Sequence, residues 1–288
     1  MANAASSSVH RKYVVTGGAG FIGSHMVDRL VREGHSVTVV DTLRSGFRAN
    51  VNAAATLVEA DITDVAQLEP AFAGAAGVFH FAAIARTPWC IEDPLLCYKT
   101  NVTGTLTALE AARRCGVPRV VLSSSNVVYA FMTPYRTSKE AGEALGKCYV
   151  DMYGMSVMSL RYSNVYGPRQ SELGPSPNVF AALRKSKRES GKLIFTGDGE
   201  QTRDYTHVSD IVEGNLRAMH STFTGVVDLC TGRNVSLNFV AKFFDCPVEY
   251  IPDRPGDVKH IVQDPSQALE VLGWKAQVKI EDGIKDVL

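Results

Sequence analysis

The chain has 288 residues, 45% hydrophobic and 21% charged, enough for one large domain or a domain with a smaller lobe. Thirty Lys plus Arg balance thirty Asp plus Glu, so no global field favours nucleic acid or an anionic membrane, and any anion must be bound by local groups. The six cysteines (Cys90, Cys97, Cys115, Cys148, Cys230, Cys246) form no C-x-x-C pair and have no histidine at metal-ligand spacing, which argues for reduced thiols and against a metal or disulfide framework. The start, "MANAASSSVHRK", lacks the apolar run of a signal peptide, and no window approaches the ~18 continuous apolar residues of a membrane span, so a cytoplasmic protein is expected.

The first half alternates strand-like and helix-like stretches: "YVVTG" from Tyr13, the amphipathic "FIGSHMVDRLVREG", then "SVTVVD" and "TLVEADI". That βαβ rhythm predicts a parallel sheet. It continues through "GVFHFAA", a helix from about Pro94 to Arg114, and the strand "RVVLSSS", giving an α/β, doubly wound parallel sheet of Rossmann type. After "SVMSLRYSNVYGPR" the rhythm breaks into Pro/Gly-rich loops, so a smaller C-terminal lobe is expected. The expected division is 1–165 for nucleotide binding and 166–288 for substrate, with segments near 205–230 packing back on the first domain.

"VTGGAGFIGSH" places Gly18, Gly20 and Gly23 directly after an apolar strand and at the opening of a helix, with Gly17 adding room. Glycines there permit a tight turn and close approach of a pyrophosphate to free amides at the helix N-terminus. The second strand ends in Asp41, whose carboxylate suits both hydroxyls of an adenosine ribose and would repel a 2′-phosphate, so NAD is expected over NADP. Arg44, three residues on, is the feature that would recruit a phosphate instead. A plain turn and a plain helix cap are the alternatives for these residues; the full βαβ context weighs against them.

"SSSNVVYAFMTPYRTSK" carries a serine cluster at a strand end, then Tyr135 and Lys139 at i and i+4, sharing one helix face. A phenol has an ordinary pKa of about 10 and is a poor base unless nearby positive charge favours phenolate. Ser125 could hydrogen-bond the same substrate oxygen, so Ser125, Tyr135 and Lys139 form a candidate proton-transfer site at the carboxyl ends of the strands. Alone, Y-x-x-x-K is a weak signal whose default is a solvated helix face.

From "VTGGAGFIGSH" through "HFAA", "NVTGT", "SSSNVVY", "YRTSK", "RYSNVYGPR" and "GDGEQTRDYTHVSD" to "RPGD" and "LGW", the chain resembles the extended short-chain dehydrogenase/reductase family, specifically its nucleotide-sugar epimerases and dehydratases. The resemblance implies that Phe21 and Ile22 join the glycines at the cofactor, that Asp61 and Ile62 flank the adenine, and that Phe81, Ala82 and Ala83 lie along the cofactor. It implies that Asn101, Ser123 and Tyr162 line the nicotinamide half, with Tyr135 and Lys139. For a UDP-sugar it implies Ser125, Asn164, Asn178 and Arg203, with Arg254 and Asp257 of "RPGD" at the diphosphate end, where arginines give bidentate bonds. Surface ion pairs with Asp204 and Asp253 are the plain alternative for these arginines.

Relatives resembling 4,6-dehydratases carry an Asp-Glu pair after the serine, and decarboxylases usually carry a Glu at the second position. Here Asn126 and Val127 stand there, and neither transfers a proton usefully. Epimerisation at C4 of a UDP-hexose is therefore expected, with the sugar depending on the surroundings of Arg86, Thr87 and the Pro252 to Pro255 loop. Other nucleotide-sugar chemistry, or an NAD-binding scaffold without turnover, are the alternatives. The stretch from Tyr129 to Tyr135 is shorter than the family's covering loop, and Ala130 replaces its glycine; residues missing from the chain as written is the favoured explanation, an open site the other. The family's assembly implies a homodimer through the helices following Pro94 and Tyr135, with Leu106, Leu109, Leu145 and Tyr149 on the outer face.

Overall fold

A computed structural model describes residues 9–172, 178–252 and 259–288. Its main layer is a seven-stranded parallel sheet: β1 (Lys12–Thr16), β2 (Ser36–Asp41), β3 (Thr56–Glu59), β4 (Gly77–His80), β5 (Val120–Ser125), β6 (Val157–Tyr162) and, later in the chain, Gly225–Leu229. The spatial order runs from Gly225–Leu229 through β6, β5, β4, β1 and β2 to β3. Sequence order reverses between β1 and β4, so a crevice opens at the carboxyl ends of those two strands.

The first helix, α1 (Phe21–Arg32), buries Gly23, Met26, Val27 and Leu30, an i, i+3, i+4, i+7 stripe facing the sheet. It covers one face together with α8, described below, in a core that includes Tyr13, Phe79, Leu160 and Trp274. The other face carries α2 (Val65–Phe72), α5 (Gly104–Arg114) and α6 (Pro134–Tyr153), packed around Phe72, Leu109 and Leu122. Two short helices, α3 (Thr87–Glu92) and α4 (Pro94–Tyr98), precede α5. The stretch from Pro94 to Arg114 is helical throughout, as the sequence suggests, but Lys99–Thr103 forms a π-turn between α4 and α5.

Beyond β6 the chain passes through β7 (Asn164–Tyr166), α7 (Val179–Ser190), β8 (Leu193–Thr196) and β9 (Thr202–His207). It then forms α8 (Val208–His220), β10 (the Gly225–Leu229 strand already placed), β11 (Asn234–Ser236) and β12 (Val248–Ile251). β7, β9 and β11 form a small sheet and β8 pairs with β12. A third core around Tyr166, Phe180, Phe195 and Phe244 holds these elements together.

One expectation is corrected. Leu109 and Tyr149, assigned to an outer helix face, are buried in the core under α5 and α6, and Leu145 packs against the same core; only Leu106 of the four is exposed. The error is one of helix phase, since the inward stripe of α5 also takes Ala108, Ala111 and Ala112. Between Tyr129 and Tyr135 the backbone is continuous and compact: Asn126–Tyr129 makes one 3-10 turn, and Thr133 caps α6 by accepting the Arg136 N–H at 3.1 Å.

Candidate active site

The first turn is built by contacts that leave no room for side chains. A Cβ on Gly17, whose φ is +71°, would lie 2.6 Å from the Ala82 nitrogen, and one on Gly23 would lie 2.2 Å from the Gly17 carbonyl. Gly20 precedes α1 without a side-chain cap, and no acidic residue occupies the first turn of α1, so the amides around Phe21 and Ile22 suit an anion. Asp41 ends β2 and accepts the Ala19 N–H at 3.0 Å and the Leu43 N–H at 2.8 Å. It thus braces the glycine turn while keeping acceptor capacity, since a carboxylate offers about four lone-pair sites.

Phe81, Ala82 and Ala83 follow β4 across the crevice, with the Phe81 N–H donating to the Thr16 carbonyl at 3.0 Å. Asp61 is exposed beyond β3. The Ile62 side chain is turned into the core against Gly104, where the apolar chain gains more than in solvent, so only its backbone is left to face a ligand. Asn101 is buried, accepting the Ile84 N–H at 2.7 Å and donating to the Ile84 carbonyl and the Ser138 hydroxyl, both at 3.0 Å. Its carboxamide fixes the loop that follows Ala83.

At the end of β5 the proton-transfer residues converge. Ser125 stands close enough to the Tyr135 phenol to favour its ionised form, and its Oγ accepts the Val127 N–H at 3.2 Å. Accepting that N–H leaves the single Ser125 proton available to a neighbouring oxygen. Lys139 Nζ donates to the Ser123 carbonyl at 2.8 Å and stands 5.9 Å from the centre of the Tyr135 ring. Burial raises the Tyr135 pKa to about 12, while Ser125 and Arg86 oppose the rise. Burial likewise lowers Lys139 to about 8.

Beneath Lys139, His80 is locked between Thr16, 2.8 Å from Nδ1, and Thr105, 3.3 Å from Nε2. Because Thr105 gives its proton to the Asn101 carbonyl, Nε2 of His80 is the donor and the ring is neutral; burial lowers its pKa to about 3. Cys90 and Cys97, read from sequence as scattered thiols, are buried against Tyr135 and Lys139.

Tyr162 ends β6 beside Ser125, and its hydroxyl points into the core and donates to Asn215 Oδ1 at 2.8 Å, where an unpaired phenol would be costly. Asn164 is half-buried at the start of β7. Asn178, just before α7, accepts a hydrogen bond from Arg86, tying the loop after β4 to the second group of elements. Arg203 donates to the Thr202 and Lys259 carbonyls. It does not pair with Asp204, whose carboxylate accepts from the Thr231 and Gly232 amides and the Thr231 hydroxyl. Arg254 and Asp257 lie outside the described residues. Among the described residues no cluster of three or more His, Cys, Asp or Glu side chains could hold a metal, and no helix is long and apolar enough to cross a membrane.

Residues 13–228 match the model of the NAD dependent epimerase/dehydratase family. A UDP-glucose 4-epimerase from Mycolicibacterium smegmatis is 34% identical, covering 94% of this chain and 95% of its own. Among solved structures, the UDP-glucose 4-epimerase of Thermotoga maritima with UDP-glucose superposes with a TM-score of 0.91 at 35% identity, covering 96% of this chain and 97% of that one. The UDP-N-acetylglucosamine 4-epimerase of Methanobrevibacter ruminantium M1, in complex with UDP-N-acetylmuramic acid, gives a TM-score of 0.91 at 31% identity over the same shares. The glycine cradle, the bracing carboxylate of Asp41 and the buried Tyr135–Lys139 pair fit the cofactor that this family uses, which is NAD. The chain belongs to the NAD-dependent epimerase/dehydratase family, as an NAD-dependent nucleotide-sugar epimerase of the α/β Rossmann class.

Proposed function

We propose that the protein inverts C4 of a UDP-hexose, UDP-glucose/UDP-galactose or their N-acetyl forms, through a transient 4-keto sugar. The observation that carries this is the gathering of Ser125, Tyr135 and Lys139 at the end of β5, with Asn126 and Val127 where elimination or decarboxylation would need acidic groups. When bound, NAD supplies the hydride acceptor and donor and, in its oxidised form, a positive charge that favours phenolate. Tyr135 takes the proton of the C4 hydroxyl as the C4–H bond breaks, Ser125 holds the same oxygen, and Tyr135 returns the proton after the keto sugar has presented its other face. Lys139 braces the end of β5 through the Ser123 carbonyl and favours phenolate while protonated. The convergence of these hydroxyls supports turnover over a scaffold role, despite the short Tyr129–Tyr135 connection.

In this reading residues 1–165 hold the cofactor through Gly17, Gly20, Phe21, Ile22, Gly23, Asp41, Asp61, Ile62, Phe81, Ala82, Ala83, Asn101, Ser123 and Tyr162, with Tyr135 and Lys139. Residues 166–288 hold the sugar nucleotide through Asn178 and Arg203, with Asn164 at their border. A homodimer is supported by exposed apolar side chains on α4, α5 and α6: Leu95, Leu106, Met152 and Tyr153. The test is incubation of purified protein with a panel of UDP-sugars followed by proton NMR. C4 inversion of a UDP-hexose is expected, and inversion of none of the panel would refute it.

A further inference from the structure

His80 ends β4 opposite Thr16, the last residue of β1, where the crevice opens between those two strands. Its buried imidazole is held at both nitrogens, and the direction of each hydrogen bond is fixed from one end. A carbonyl can only accept, so the Thr105 hydroxyl gives its single proton to the Asn101 carbonyl at 2.6 Å. Thr105 Oγ1, 3.3 Å from His80 Nε2, must then receive the ring proton. That leaves Nδ1 as an acceptor, to which the Thr16 hydroxyl donates at 2.8 Å. With its proton so directed, Thr16 Oγ1 accepts the Ala82 N–H at 3.4 Å, while the Thr16 carbonyl takes the Phe81 N–H at 3.0 Å. Thr16 precedes Gly17, where a Cβ would lie 2.6 Å from the Ala82 nitrogen, so the hold on Ala82 sets the width of the glycine cradle. At the other end, Asn101 sits in the π-turn Lys99–Thr103, and its carboxamide grips Ile84 and donates to the Ser138 hydroxyl at 3.0 Å. Ser138 in turn donates to the Tyr135 carbonyl at 2.7 Å.

We propose that His80 is a positioning residue that links the cofactor cradle to the base: as the Nε2–H tautomer it holds Ala82 through Thr16 and, through Thr105 and Asn101, the turn of α6 that carries Tyr135. This rests on Tyr135 being the acid/base group. A residue that only filled this space could be replaced by any side chain of its size. The linked bonds instead demand an acceptor toward β1 and a donor toward α5 on one side chain, because each buried polar group along the chain needs its partner. Asparagine and glutamine separate the two demands. An asparagine Oδ1 takes the place of Nδ1 and can accept from Thr16, but its amide is too short for Thr105; a glutamine Nε2 takes the place of the ring Nε2 and can donate to Thr105.

The test has two parts, both on the NAD-loaded protein. Nitrogen-15 NMR of histidine-labelled wild type at neutral pH, with the His80 signals identified by their loss in His80→Asn, should show the proton on Nε2; a proton on Nδ1 would overturn the proposal. The second part compares two rates: exchange of bound NAD for isotopically labelled NAD, followed by mass spectrometry, and kcat with UDP-glucose or UDP-N-acetylglucosamine. Each variant loses one buried hydrogen bond, so His80→Gln should speed exchange roughly 3- to 10-fold, and His80→Asn should lower kcat by a similar factor. In each variant the other rate should move less, and His80→Leu should change both. Equal changes of the two rates in the Gln and Asn variants, or no change in either, would overturn the proposal. If those variants do not fold, Thr105→Val removes only the link toward Tyr135 and should lower kcat more than it speeds exchange; the reverse order, or no difference, overturns it equally. Failure of the underlying reading is separate: it would appear as retained turnover in Tyr135→Phe, and it would leave the tautomer and the exchange rates as they are.

Discussion

Replacing Lys139 with methionine should make the NAD-free protein more stable at neutral pH even as it removes activity. Burial takes this ammonium from an ordinary 10.5 to about 8. At ~1.4 kcal/mol per pH unit, keeping it charged at pH 7 costs the folded state ~3 kcal/mol. The variant also loses the Nζ bond to the Ser123 carbonyl, which costs about 1 kcal/mol, so a net gain of ~2 kcal/mol is expected. The pH dependence fixes the sign. Between about pH 8 and 10.5 the unfolded wild-type chain still binds the proton that the folded protein has released, so wild-type stability rises with pH through that window and the advantage of the variant disappears. Urea unfolding of both proteins at pH 7 and pH 10.5 measures this. A variant less stable than wild type by the same margin at both values would refute the claim that Lys139 is a desolvated ammonium.

Asp41→Ala should weaken NAD binding at least ~10-fold and narrow the preference for NAD over NADP in fluorescence titrations, because it removes the ribose acceptor and the brace on Ala19 and Leu43 together. Gly23→Ala should destabilise the fold by roughly 1–3 kcal/mol in thermal melts and impair NAD binding, since the added carbon would lie 2.2 Å from the Gly17 carbonyl and the main chain must move. Wild type should be a dimer by light scattering, and Leu106→Asp combined with Met152→Asp should make it a monomer, both side chains being exposed on the helices proposed to pair.

Local spacing carried much of this architecture into the sequence. The glycine turn, Asp41 at a strand end, and Tyr135 four residues before Lys139 are legible because turn geometry and helical periodicity act over a few residues. What the sequence hid depends on distant partners. Asn101 is turned inward by Ile84 and Ser138, and the π-turn that carries it has no composition signal. Tyr162 turns its hydroxyl to Asn215, 53 positions later. Leu109 and Leu106 both look like outer-face apolar residues on one helix, and only the packing of α2 against α5 decides which is covered. Arg86 looked like a residue that sets pocket size; its tie to Asn178 spans 92 positions and cannot be read from either neighbourhood.

The central claim, inversion at C4 by removal and return of the same hydride, is tested most directly with a UDP-hexose carrying deuterium at C4, incubated with the NAD-loaded protein and followed by NMR and mass spectrometry. The account predicts a product with C4 inverted, the deuterium still on C4 and the mass unchanged. A product lighter by water or by carbon dioxide, or an inverted product whose deuterium has exchanged with solvent, would contradict it.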